Sequence, residues 1–303
     1  MLISGFTMVR NAEKYYFPIK ESIESILPIV DEFIVALGKS DDKTREIIES
    51  INSDKVKIFD REWDERLFVD GEIFRNETNF ALSKCKGDWC FYLQADEVVH
   101  EKDLSIISNM CKKYKDDKNV EGFLFQYKHF WGDYDHYIEC HGWYPKEIRI
   151  IRNNVGIESY RDAQSFRKNN NKLNVVDIPA EIFHYGWVRP PEIMTPKKKE
   201  QDSMHNGKYK TEKDYLKTSE FFDYGPLGKL TIYNKTHPKV MNKMISSISW
   251  KDKLNFTSKC KINRKLLKHE KLKYRLITII ERIFNKGNQI GGFKNYIIVK
   301  SEI

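Results

Sequence analysis

Trp89-Cys-Phe-Tyr-Leu-Gln-Ala-Asp-Glu97 is the most informative segment of the chain, because a hydrophobic run ends there in two adjacent carboxylates. The run at residues 89–93 has the length of a buried strand. A carboxylate at a strand end beneath a cleft is costly to desolvate without a partner, and a bound cation is the natural one. The segment therefore predicts a metal site at Asp96, with an ordinary solvent-facing turn as the alternative.

Strand-like and helix-like segments alternate before this segment. Strands are predicted at residues 2–9, 32–37 and 56–59, and helices at residues 41–51, with Ser40 as the cap, and at about 71–85. A further helix between the first two strands carries Ile19, Ile23 and Val30 on one face. The alternation predicts a parallel sheet covered by helices, in which ligands gather at the carboxyl ends of the strands.

The chain after this segment is less regular and rich in aromatic residues. Strands are predicted at residues 121–127, 147–151 and 175–183, and we expect a second, partly antiparallel half there. Charged residues make up 32% of the chain and apolar residues 40%, which is typical of a soluble globular protein. The composition therefore excludes a disordered chain.

Basic residues are concentrated after residue 251 and account for much of the net charge of +8. Residues 272–284 predict a basic amphipathic helix, for which packing on the core and binding to a membrane surface are equal alternatives. No apolar run reaches the roughly eighteen residues of a membrane span, and the 5 cysteines are irregularly spaced. The sequence thus predicts a cytoplasmic protein with reduced thiols, with peripheral binding at the inner face of the plasma membrane left open.

Five sequence elements together resemble family 2 of the glycosyltransferases, of the bacterial polysaccharide and lipopolysaccharide type. They are Thr7-Met-Val-Arg-Asn11, Asp31-Glu-Phe-Ile-Val35, Ser40-Asp-Asp-Lys-Thr44, the helix with Arg75 and Asn76, and Gly87-Asp-Trp89 leading into Gln94-Ala-Asp-Glu97. The resemblance implies an α/β fold of the GT-A type, a Rossmann-like mixed sheet flanked by helices. It implies a GT-A domain at residues 1–235, with a donor half at about 1–100 and an acceptor half at about 120–235, followed by a basic helical extension at residues 236–303.

The resemblance also implies a site for a nucleotide-sugar donor. Asp96 matches the last acid of the family's D-x-D motif and is expected to bind Mn²⁺ or Mg²⁺ against the donor diphosphate. Gln94 replaces the first acid, and Leu37 replaces the usual base-reading Asp, so the base remains open between UDP, GDP and other nucleotides. The expected donor-binding residues are Thr7, Arg10, Asn11, Asp42, Arg75, Asn76, Gln94 and Ala95.

Asp162 is the expected catalytic base, because it follows the strand at residues 147–151 where the family's catalytic acid is expected. It would take the proton of the acceptor hydroxyl during an inverting displacement. Asp133, Asp135 and Glu139 are its competitors. A surface ion pair with a neighbouring arginine is the structural alternative.

His184 follows a predicted strand and is expected, by the same resemblance, to be a late metal ligand. Arg189 and Lys197 to Lys199 are candidates for neutralising the leaving diphosphate or for closing over it as a mobile segment. Aromatic rings offer flat surfaces to sugars and nearby acids bind hydroxyl groups. The candidate acceptor residues are Asp133, Glu139, Trp143 and Tyr144.

The combined hypothesis is a metal-dependent inverting glycosyltransferase of the hexosyltransferase type, acting on a glycan or lipid-linked acceptor. Two alternatives remain at this point. One is a protein that binds nucleic acid or membranes through its basic tail, which explains the pI of about 9.0 but leaves residues 94–97 unused. The other is a catalytically degenerate transferase kept as a scaffold.

Overall fold

Four parallel strands form the N-terminal half of the sheet in this computed structural model, which describes residues 1–285, 288–292 and 294–303. The strands are β1 (Ile3–Val9), β2 (Glu32–Gly38), β3 (Val56–Arg61) and β4 (Trp89–Tyr92), arranged in the order β3-β2-β1-β4. They are connected by the helices α1 (Ile19–Ile26), α2 (Thr44–Glu49) and α3 (Glu72–Ser83). The predicted parallel sheet covered by helices is confirmed.

Both faces of this half-sheet are buried, as a parallel sheet requires. In β2, Phe33 and Val35 pack on the side of α1, whereas Ile34 and Ala36 pack on the side of α3. Alternate residues of one strand thus reach two hydrophobic layers, and the uninterrupted apolar sequence of β2 follows from that.

The second half of the sheet is mixed. It contains β5 (Glu97–Val99), β6 (Gly122–Trp131), β7 (His136–Ile138), β8 (Lys146–Arg152), β9 (Ile157–Tyr160), β10 (Ser165–Lys168) and β11 (Asn171–Trp187), with α4 (Leu104–Lys113) between β5 and β6. Strand β8 is antiparallel to both β4 and β6, so the sheet changes direction there. The expected antiparallel half is confirmed, although β11 is much longer than the strand predicted at residues 175–183.

The C-terminal part adds helices and two short edge pairings. Its elements are α5 (Pro191–Asn206), α6 (Lys208–Tyr215), β12 (Thr231–Ile232), α7 (Asn242–Ser246), α8 (Leu272–Phe284) and β13 (Tyr296–Ser301). The helix predicted at residues 272–284 is confirmed as α8, and β13 pairs in parallel with β11. The domain division at residue 235 stays a prediction, and residues 286, 287 and 293 of the expected extension lie outside the described residues. Within the described ranges, no helix is both long and apolar enough to cross a membrane.

The prediction that Ser40 caps a helix at residues 41–51 is wrong. Helix α2 begins only at Thr44, whose backbone N–H donates to Asp42 Oδ1 at 3.0 Å. The Ser40 hydroxyl instead accepts the Asn11 backbone N–H at 3.0 Å and donates to the Gly38 carbonyl at 2.9 Å. Ser40 therefore joins the ends of β1 and β2, and Asp42 satisfies the N–H at the start of α2.

All 5 cysteines are free thiols, as expected.

Candidate active site

A cavity of about 410 Å³ opens at the carboxyl ends of β1 and β4. Its walls come from these strand ends, the loop before β8, the turn between β9 and β10, the end of β11 and one side of α5. A ligand cleft at this edge is what an open α/β sheet with a change of strand direction produces. The cavity has the size of a small-molecule site.

Eight of the residues predicted for catalysis or for binding of metal, donor and acceptor line this cavity, and seven do not; Lys197, one of the candidate lysines, lines it as well. The lining includes Arg10, Gln94, Ala95, Asp96, Trp143, Tyr144, Asp162 and His184. The predicted residues outside the lining are Thr7, Asn11, Asp42, Arg75, Asn76, Asp133 and Glu139. The structure thus brings the predicted metal ligands, the predicted base and five other predicted residues to one cavity from five separate parts of the chain.

Asn11 and Asp42 build the loops beside the cavity. The Asn11 side chain is buried and its Oδ1 accepts the Asp41 backbone N–H at 3.0 Å. Asn11 also has a φ of +53°, a left-handed conformation that Asn tolerates better than most residues. Thr7 is completely buried within β1. These three side chains shape the strand ends.

The remaining predicted residues outside the lining have partners of their own. Arg75 pairs with Glu72 on the exposed side of α3, at 3.3 Å. Asp133 is fully buried, and its Oδ1 accepts the backbone N–H groups of Asp135 and His136 at 3.0 and 2.9 Å. Asn76 donates to Glu77 at 3.0 Å, and Glu139 pairs with Arg282 at 2.9 Å beside a second cavity of about 510 Å³. Trp143 and Tyr144 line both cavities.

The two adjacent carboxylates after β4, those of Asp96 and Glu97, have different environments. Glu97 is fully buried, and Arg149 donates to both of its oxygens at 2.8 Å. Tyr127 and the backbone N–H of Gln94 complete its hydrogen bonds, at 2.8 and 3.0 Å. This satisfied pair leaves only Asp96 to face the cavity.

Asp96 faces His184 across the cavity wall, with Oδ1 3.8 Å from His184 Nε2. Both side chains are largely buried. The opposite ring nitrogen of His184, Nδ1, lies 3.0 Å from Nδ1 of His129, and His129 Nε2 lies 2.8 Å from the Tyr144 carbonyl oxygen. A chain of hydrogen bonds therefore leads from a backbone carbonyl to His184.

This chain assigns the protonated nitrogens of both imidazoles. Burial lowers the pKa of His129 to about 3 and also lowers the pKa of His184, so both rings are neutral at pH 7. The His129 Nε2–H must donate to the Tyr144 carbonyl, which leaves His129 Nδ1 as an acceptor for the His184 Nδ1–H. His184 Nε2 is then unprotonated, and its lone pair is directed at the Asp96 carboxylate.

These residues fit a divalent cation. Two electron-pair donors facing each other at 3.8 Å, one oxygen and one nitrogen, repel unless a positive charge lies between them. The space beside them is kept free by Gly186, where a Cβ atom would lie 2.5 Å from His184 Nε2 and 2.8 Å from Asp96 Oδ2. Within the part of the chain that the structure describes, no group of three His, Cys, Asp or Glu residues is placed to hold a metal ion by itself, so ligand and water oxygens would complete the coordination.

Asp162 lies in the turn between β9 and β10, which has an unusual backbone. Arg161 and Ala163, on either side of it, have φ values of +55° and +58°, a region costly for residues with side chains. Arg149 holds this turn through the Gln164 carbonyl at 3.2 Å, and Gln94 approaches the Ala163 carbonyl at 3.4 Å. The groups that position the Asp96 segment therefore also position Asp162.

Lys197 supplies a buried amine on α5, with its Nζ donating to Gln201 at 3.1 Å. Burial, followed by repulsion from Arg189, lowers the pKa of Lys197 to about 7. Lys197 lies within the regular helix α5, and Arg189 is fully buried and donates to the Tyr15 and Gly186 carbonyls. An amine that titrates near neutral pH in a cleft is typical of a functional site.

Two further residues of the lining, Trp63 and Glu200, have no clear signal in the sequence. Trp63 Nε1 and Arg10 Nε are buried, and neither has a hydrogen-bond partner within the described residues. Glu200 pairs with Arg10 at 3.3 Å from α5. Unpaired donors are costly to bury and mark places where a ligand can accept hydrogen bonds.

The mixed sheet, the cleft at its strand ends and the Asp96 segment define the class of GT-A nucleotide-diphospho-sugar transferase folds. The family model of Glycosyl transferase family 2 matches residues 8–173, which is more than half of the 303 residues. The chain belongs to glycosyl transferase family 2. No curated protein matches it in sequence.

Several solved structures are distantly similar to the chain. S. aureus TarS 1–349 in complex with UDP is 21% identical over 43% of this chain and 36% of its own, with a TM-score of 0.32. Another structure of S. aureus TarS 1–349 is 14% identical, with coverages of 72% and 74% and a TM-score of 0.36. Glucosyl-3-phosphoglycerate synthase from Mycobacterium tuberculosis, in complex with Mn²⁺, UDP and phosphoglyceric acid, is 19% identical, with coverages of 43% and 43% and a TM-score of 0.29. The chain spans little more than a third of the first of these, and such likenesses specify neither donor nor acceptor.

Proposed function

We propose that the chain transfers a sugar from a nucleoside-diphosphate donor to a hydroxyl group of a glycan or lipid-linked acceptor, with inversion and in a metal-dependent reaction. Membership of glycosyl transferase family 2 supports glycosyl transfer. The observation that carries the metal-dependent donor site is the Asp96–His184 pair, whose facing lone pairs call for a cation. The diphosphate is the part of the donor whose negative charge needs a cation.

The residues of the cavity have separate parts in this reaction. A Mn²⁺ or Mg²⁺ ion between Asp96 and His184 would offset the negative charge of the diphosphate. Lys197, once protonated, adds a positive charge from the side of α5 and stabilises the leaving group. Asp162 accepts the proton of the attacking hydroxyl, so the reaction needs no covalent enzyme intermediate.

Trp143 and Tyr144 form the wall on which a sugar acceptor would stack next to the donor. Their side chains lie between the two cavities, on the loop that precedes β8. The Tyr144 ring packs edge-on against His129 at 4.6 Å between ring centroids, which fixes this wall relative to the metal ligands. An acceptor stacked on the wall would lie beside the same cavity that holds Asp162.

The first test is the thermal stability of the protein with UDP, GDP, CDP, ADP and dTDP, each with and without Mn²⁺. A ligand at 100 times its Kd adds about 2.7 kcal/mol to the free energy of unfolding, which is a readable shift. We expect one diphosphate to stabilise the wild type only with Mn²⁺, and Asp96→Asn to lose the effect. That diphosphate identifies the donor base.

The matched control is Asp60→Asn, the same change at an exposed residue of β3. It should keep the full Mn²⁺-dependent shift. If no diphosphate stabilises the wild type while RNA or DNA binds it with a steep salt dependence, the donor site is disproved and the nucleic-acid alternative is favoured.

A second expected result concerns His129. Its replacement by Phe removes the acceptor for the His184 Nδ1–H, so His184 loses its fixed tautomer and Mn²⁺ affinity should fall about 10- to 100-fold. Electron paramagnetic resonance of free and bound Mn²⁺, with and without UDP, measures this directly. His129→Asn keeps an acceptor near the position of Nδ1 and should recover part of the affinity. Unchanged Mn²⁺ affinity in His129→Phe would contradict the assigned hydrogen-bond chain.

A further inference from the structure

Helix α8 is attached to the protein by its polar side. Thr278 Oγ1 accepts the His141 backbone N–H at 2.8 Å, and Glu281 Oε1 accepts the His141 ring Nδ1–H at 2.7 Å. Glu281 also accepts the Ile290 backbone N–H at 2.7 Å and is 2% exposed. The side of α8 that contacts the protein therefore consists largely of polar groups, each with a partner.

The opposite side of α8 is apolar and faces outward. We call it the α8 stripe, and its side chains, between 48% and 69% exposed, are Leu272, Leu276, Ile279, Ile280 and Ile283. At 100° per residue these five positions fall within about one third of the helix circumference. Phe284, at the end of the helix, is 79% exposed. An ordinary surface helix has the reverse arrangement, with its apolar side on the core.

An outward stripe of large aliphatic side chains is costly in water. Burial of each such side chain stabilises a protein by about 1.5–3 kcal/mol relative to exposure in water. The isolated chain lacks this stabilisation, and a partner that covers the stripe would supply it. Contiguous exposed apolar patches on this scale mark interaction sites. The alternative from the sequence, that the apolar side packs on the core, is contradicted by these exposures.

The surroundings of the α8 stripe are positively charged. Its exposed basic neighbours in sequence are Lys265, Lys268, Lys271, Lys273, Arg275 and Arg282. The two acids of residues 259–285 do not offset them at the surface, because Glu270 pairs with Arg264 at 2.7 Å and Glu281 with His141. Arg282 pairs with Glu139 at 2.9 Å, but the other five basic side chains still give the apolar stripe a border of net positive charge.

We propose that the α8 stripe docks on an anionic lipid surface, with α8 lying in the plane of the membrane interface. Only a membrane offers an acyl layer for the stripe and negative headgroups for its border in one surface. A second copy of the chain would place two positive borders against each other in a two-fold contact. A nucleic acid would pair with the border but would leave the aliphatic side chains unburied. The proposal stands independently of sugar transfer.

The test is co-sedimentation of the full chain with vesicles of phosphatidylcholine alone and with vesicles that contain phosphatidylglycerol. We expect binding to the anionic vesicles at least about tenfold tighter than to the neutral ones, weakening with salt. The double variant Leu276→Glu, Ile283→Glu should lose at least about tenfold of that binding. Both positions are exposed, so its melting temperature should stay close to that of the wild type.

The matched control is Leu216→Glu, Phe221→Glu, which adds the same charge at two exposed apolar residues elsewhere and should bind like the wild type. The proposal is overturned if the wild type does not bind anionic vesicles, or if the control loses binding as strongly as the α8 variant. It is also overturned if sedimentation shows a wild-type dimer that the α8 variant dissociates, because the stripe is then a contact between copies.

Discussion

Asp162→Asn should lower the rate of donor turnover by a factor of about 10² to 10⁴ and leave donor affinity unchanged, because the amide cannot accept the proton of the attacking hydroxyl. The change is nearly isosteric, so the turn with left-handed Arg161 and Ala163 should keep its shape. Asp162 does not contact the Asp96–His184 pair through any hydrogen bond within the described residues. Binding and turnover should therefore separate.

The measurement does not require the acceptor to be known. Glycosyltransferases can pass the sugar slowly to water, and release of the nucleoside diphosphate reports that reaction with the donor base found in the stability screen. Asp135→Asn, at a competing carboxylate that pairs with Lys251 on the surface, is the control and should keep wild-type turnover. If Asp162→Asn turns over normally and Asp135→Asn does not, the assignment of the base is reversed.

Most of the residues that the sequence placed correctly in the cavity lie at or just after the end of a strand. Gln94, Ala95 and Asp96 follow β4, and His184 lies near the end of β11, so strand direction alone brings them to one edge of the sheet. Asn11 and Asp42 also follow strands, but short Asn and Asp side chains readily bond to nearby backbone N–H groups. Position after a strand cannot distinguish a ligand-binding side chain from one that supports a loop.

The site residues that could not be predicted from the sequence owe their roles to tertiary contacts. Arg149 is one residue of a predicted strand, and its role follows only from its pairing with Glu97, 52 residues earlier. Trp63 lies in a loop, and its free indole N–H becomes evident only where its ring packs beside Arg10. No local periodicity or spacing marks such residues. The outward-facing apolar side of α8 is a similar case. Periodicity shows that a helix has an apolar side, but it does not show whether that side faces the core or the solvent.

Lys197 belongs to a run of three lysines that sequence cannot tell apart, yet only Lys197 lines the cavity. Lys197→Met should reduce turnover by about 10²- to 10³-fold through loss of the positive charge on the leaving diphosphate. The same change should make the free protein more stable at pH 7, by on the order of 2 kcal/mol, because a buried amine with few partners no longer has to be desolvated. Activity and stability should therefore change in opposite directions.

The pH dependence of this gain follows from the pKa of Lys197. Its pKa is lowered from 10.5 to about 7 in the folded protein, so between these values the unfolded chain binds the additional proton. Wild-type stability should rise with pH across that window, and the advantage of Lys197→Met should be largest below pH 7 and vanish above about pH 10.5. Paired thermal melts of the two proteins measure it.

Lys198→Met is the matched control, because Lys198 is partly exposed and forms an ion pair with Asp202 at 2.7 Å. It should show neither the gain in stability nor the loss of turnover. Diphosphate binding should restore the proton of Lys197, since a nearby negative charge favours the charged amine. Calorimetry in buffers of different ionisation enthalpy should then detect proton uptake on binding at about pH 8 in the wild type and none in Lys197→Met. Proton uptake that persists in Lys197→Met would show that another group senses the diphosphate, and Lys197 would be left with a packing role on α5.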